Sequence, residues 1–133
     1  MQKLDMKQHY KIFPVDIFKR GVLVFHGTRD QFKAYVEREN IPLEFDEEGE
    51  EIMDKSNAVT FRMDEDVIIF SEREWIDEGV LIHEILHASK QILRKCDIED
   101  EEALAYLLEY LCGEILPWAR STFLSASDGA PSA

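Results

Sequence analysis

Apolar positions follow two rhythms along the chain, and the change near residue 71 divides it. Before that point they come as short β-branched and aromatic runs. "GVLVFHG", residues 21 to 27, is bounded by Gly21 and Gly27 and predicts a strand. "KIFPVDIF" is interrupted by Pro14, which suits an edge strand or an extended arm. "AVTFRM" and "VIIF" flank "DED" and predict a hairpin over residues 58 to 63 and 67 to 71. One helix interrupts these runs, over residues 28 to 39. Thr28 caps it, Phe32, Tyr35 and Val36 repeat at helical spacing, and Asn40 and Pro42 end it. Like charges crowd "EFDEEGEEIMDKSN" around Gly49, so a solvated loop is expected there.

After residue 71 the spacing becomes helical. One helix opens near Ser71, where Ser71 and Glu74 form a capping box, or near Asp77, and runs to about Arg94. A last helix is capped by Asp97 or Asp100, carries "EEALAYLLEYLCGEIL", and ends at Pro117. Strands early and helices late predict an α+β fold, a small antiparallel sheet with packed helices. One domain is expected over residues 1 to 120. The small, polar tail, residues 121 to 133, is expected to be disordered.

Composition narrows the function classes. The formal net charge is −13, from 28 acidic and 15 basic residues, a field that repels nucleic acid and anionic membranes and attracts cations. No run approaches the roughly 18 apolar residues of a membrane span, and the N-terminus lacks the apolar run of a signal peptide. Cys96 and Cys112 are too few for a disulfide framework and read as reduced structural thiols, so a cytoplasmic setting is expected. The acidic run lacks the oxygen-ligand spacing of an EF-hand.

The chemistry concentrates in "VLIHEILHASK", residues 80 to 90, which holds His83, Glu84 and His87 in the pattern H-E-x-x-H. Residues four apart lie on one helix face, so His83 and His87 can each direct a ring nitrogen at one metal ion. Glu84 lies about 100° round the helix from His83 and is better placed to reach a water on the metal than the metal itself. Two histidine ligands and a general base result, with one zinc ion per chain expected. The apolar flanks predict that this helix is buried, with metal satisfying its polar groups. A catalytic zinc takes three protein ligands. Glu101 and Glu102, 14 and 15 residues past His87, can return on an antiparallel helix. Helical phase turns Glu101 nearer the apolar face of that helix and Glu102 toward its flank.

"HEILH" followed by "EALAY" resembles the gluzincin class of zinc metallopeptidases. The chain is similar in size to the small HExxH proteins of phages and mobile elements and to the ImmA/IrrE core. The resemblance covers about residues 58 to 116. It implies a zincin-like fold with an edge strand beside the active-site helix, and Glu102 as third ligand with Ala105 and Tyr106 following in its frame. Tyr106 stands where Asn or Asp is more usual in that class. Glu101 remains the rival.

The expected activity is zinc-dependent hydrolysis of peptide bonds. Zinc lowers the pKa of its bound water to about 7, and Glu84 takes the proton and passes it to the leaving amine. Tyr106 is the first candidate to stabilise the oxyanion, ahead of Tyr110 and His26. A peptide or protein is the expected substrate, with basic character favoured by the acidic surface. Peptide deformylase shares the motif, but in that family the ligand cysteine precedes it, whereas Cys96 and Cys112 follow it here. The competing expectation is a catalytically idle zinc-binding acidic domain that acts as an interaction or inhibitor protein.

Overall fold

A computed structural model describes residues 7–56, 58–63, 66–72 and 76–124. The elements run β1 (His9–Val15), β2 (Arg20–His26), α1 (Arg29–Arg38), α2 (Glu47–Lys55), β3 (Val59–Arg62), β4 (Val67–Ser71), α3 (Glu78–Lys95) and α4 (Glu101–Arg120), with a single 3-10 turn between β1 and β2. The class is α+β. The four strands form one sheet in the order β1-β2-β4-β3.

The sheet is mixed, which corrects the expected antiparallel one. β1 pairs with β2 and β3 with β4 antiparallel, but β2 and β4 run parallel, with Val24 opposite Ile69. The predicted hairpin does form, and it docks as a unit on β2 after the crossover through α1 and α2. Central strands covered on both faces need apolar residues throughout, and "VLVF" and "VIIF" supply them. Val22, Val24, Val67 and Ile69 pack toward α3 and α4. Leu23, Phe25, Ile68 and Phe70 pack toward α1 and Met53 of α2. β1 lies at one sheet edge, as Pro14 suggested, and β3 at the other.

α1 starts where expected. Gln31 N–H donates to Thr28 Oγ1 at 3.1 Å, and Thr28 N–H donates back to Gln31 Oε1 at 2.8 Å. The acidic run is not a loop but helix α2. Gly49 N–H donates to Asp46 Oδ1 at 2.8 Å, and Glu47, Glu48 and Glu50 occupy the first turn, where the helix dipole favours negative charge. Its repulsion is met from α1. Arg29 pairs with Glu50 at 2.7 Å and Asp54 at 2.9 Å, and also with Glu72, while Lys33 pairs with Glu50 at 2.6 Å.

α3 begins at Glu78 after Asp77; Ser71 ends β4 instead, and Glu74 lies outside the described residues. α4 is capped by Asp100, whose Oδ2 accepts from Ala103 N–H at 3.2 Å. It runs past Pro117 to Arg120, because Leu116 and Ala119 are buried and the Arg120–Glu78 pair, at 2.7 Å, ties its end to the start of α3. Proline removes one helix hydrogen bond there, and packing on both sides offsets the loss. The packed chain continues into the segment expected to be tail. Phe123 and Leu124 are buried, and Leu124 bridges to Ile76; residues 125–133 lie outside the described residues. Among the described residues no helix is long and apolar enough to cross a membrane.

Candidate metal and hydrolytic site

α3 carries the H-E-x-x-H motif with its side chains sorted by depth. Leu81, Ile85, Ala88 and Ile92 have no exposure and face the core. His83 and His87 lie roughly 150° round the helix from them. Both histidines are exposed, which corrects the expectation that the helix buries them. α3 is covered by the sheet below and α4 at its side, and its outer ridge stays open.

The two rings nonetheless converge. Their Nε2 atoms are 3.1 Å apart and their planes cross at 84°. At that distance either one ring donates an N–H to the other, or both bare nitrogens face one cation. Two nitrogens each about 2.0–2.1 Å from a tetrahedral zinc are separated by about 3.3 Å. The pair therefore fits two corners of a zinc site. The third corner is not assembled: among the described residues no three His, Cys, Asp or Glu side chains are grouped to hold a metal ion. Glu101 and Glu102 are exposed in the first turn of α4. Glu101 borders a cavity of about 300 Å³ with Lys90, Leu93, Arg94 and Asp97, at the far end of α3. Lys95, which ends α3, lies about 12 Å along the axis from His87.

Glu84 is the buried member of the motif, at 8% exposure. Thr60 of β3 donates its hydroxyl hydrogen to Glu84 Oε1. A cleft of about 250 Å³ opens at this point, between Ile52 of α2, Ser56 just past its end, Thr60 of β3, and Glu84, His87 and Gln91 of α3.

None of the three residues expected to stabilise an oxyanion borders that cleft. Tyr106 is 67% exposed and lies with Ile17, Phe18 and Tyr110 in a separate groove on the other side of α4. The Tyr110 hydroxyl donates to Pro14 O at 3.0 Å. His26 is buried, its ring stacked on Phe123 at 4.4 Å. Polar groups that do border the cleft include Ser56, Thr60 and Gln91, none of which the motif spacing points to. Alternation along β3 is the signal that reveals Thr60. Val59 and Phe61 pack against the α1 face, so Thr60 between them must point toward α3. Cys96 and Cys112 are both free thiols, and burial pushes the Cys112 thiol up. No family model matches the chain, and no curated protein or solved structure matches it either.

Proposed function

We propose that the protein is a zinc-dependent peptidase in which His83 and His87 are metal ligands, Glu102 is the third ligand with Glu101 its rival, and Glu84 is the general base. The observation that carries this reading is the 3.1 Å approach of the two Nε2 atoms next to the buried Glu84, with Glu84 and His87 on the wall of an open cleft. Zinc, when bound, supplies Lewis acidity toward water and toward a carbonyl oxygen. The protein's own groups do the rest. The histidines fix the ion on the α3 ridge. Glu84 accepts a proton at its carboxylate and releases it to the leaving amine. Among the described residues β3 is an edge strand whose outer side has no strand neighbour, so an extended peptide can pair along it next to the base. The −13 net charge favours basic substrates.

A second reading, an idle zinc-binding domain that works by contact, is favoured by one observation. The first-turn carboxylates of α4 stand apart from the histidine pair. Glu84→Gln separates the two readings, because it removes the base and nearly keeps the shape. The variant should bind zinc and melt like the parent while cleaving a peptide library slower by a factor of about 10² or more. Equal cleavage by both proteins rejects Glu84 as the base. No cleavage by either favours the idle domain.

A further inference from the structure

The contact between Thr60 and Glu84 joins the edge strand to the motif, and it has a consequence for the base. A buried carboxylate needs a hydrogen-bond donor. Among the described residues Thr60 gives Glu84 its one side-chain hydrogen bond. The same hydroxyl also stands 3.3 Å from the Glu84 backbone oxygen. A hydroxyl has a single proton, and the acceptor at shorter range takes it. Oε1 is thereby anchored, and Glu84 lines the cleft together with His87 and Gln91. Thr60 cannot readily turn away. Its χ1 is stiff, and its strand neighbours Val59 and Phe61 are held in the opposite core cluster.

We propose that Thr60 is the positioning residue for Glu84, holding one carboxylate oxygen so that the other faces the scissile bond. This rests on Glu84 being the base, as read above. Because Thr60 lies on the strand along which an extended substrate would pair, the same hydroxyl sets the base in register with the substrate backbone.

Thr60→Val keeps the side-chain shape and deletes the donor; Thr60→Ser restores it. In the full-length protein with zinc added, three-bond couplings across the Glu84 side chain should report one rotamer in the parent and in Thr60→Ser, and rotamer averaging in Thr60→Val. On the best-cleaved library peptide, kcat of Thr60→Val should fall about tenfold or more with KM nearly unchanged, and Thr60→Ser should recover it. Thr60→Ala removes the same donor and takes the place of Thr60→Val if that variant does not fold. A Glu84 side chain that stays in one rotamer without the hydroxyl overturns the proposal, and so does a kcat unchanged in Thr60→Val. If the couplings change but no protein in the series cleaves anything, Thr60 still positions the carboxylate and it is the peptidase reading that fails.

Discussion

One histidine on a helix surface is a weak metal ligand; two on one face, one turn apart, are a chelate. His83 and His87 approach to 3.1 Å because helix geometry puts residues four apart on one face. Each of His83→Ala and His87→Ala should therefore lower zinc affinity by about 100-fold or more, read by competition with a chromophoric chelator, and the parent should take up one zinc per chain in the same titration. The same titration tests the third ligand. Glu102→Ala should weaken binding and Glu101→Ala should not. The reverse result moves the assignment to Glu101, and no change in either removes the first turn of α4 from the site. Motif spacing made the histidine pair legible. It could not show that Glu84 would be buried and the histidines exposed, since that depends on which flanks of α3 are covered.

At the scale of elements, α2 is the segment whose sequence misleads. Five acidic side chains in nine residues argue against a helix as long as the chain is read locally. Arg29 and Lys33, from the preceding helix, reverse that balance. Replacing Arg29 by Met should loosen α2 while α3 and α4 hold, with amide protection over residues 47–55 falling by about tenfold. Uniform loss of protection in all helices would show that Arg29 supports the whole fold instead. Acid should act on the same segment. Lys33, and then Arg29, hold the Glu50 carboxyl below its ordinary value of 4.5. Its folded pKa is thus lower than its unfolded one, so its contribution is complete above about 4.5 and fades as pH falls through the folded value. Protection of α2 should accordingly drop in acid, below that value. Arg120 likewise lowers the Glu78 carboxyl at the α3–α4 contact, with the same sign.

For the whole molecule, the end of the described chain belongs to the core. Phe123 is 1% exposed, stacks on His26 and meets the Trp118 ring edge-on at 5.6 Å. Phe123→Ala should cost about 3–5 kcal/mol and lower the melting temperature by about 10 °C or more. A shift of only a degree or two would mean the segment packs without bearing on stability. By itself the sequence determined what local geometry controls: the strand runs, the cap at Thr28, the hairpin, and a histidine pair one helical turn apart. Those depend on residues a few positions from one another, and the φ/ψ periods of helix and strand relate them directly. Only the tertiary structure decided that β2 and β4 run parallel and that an acidic run becomes a helix. It also decided that Thr60 meets Glu84. These pair segments far apart in the chain, and their arrangement follows from which apolar faces bury one another and which charges then find partners, which no local spacing records.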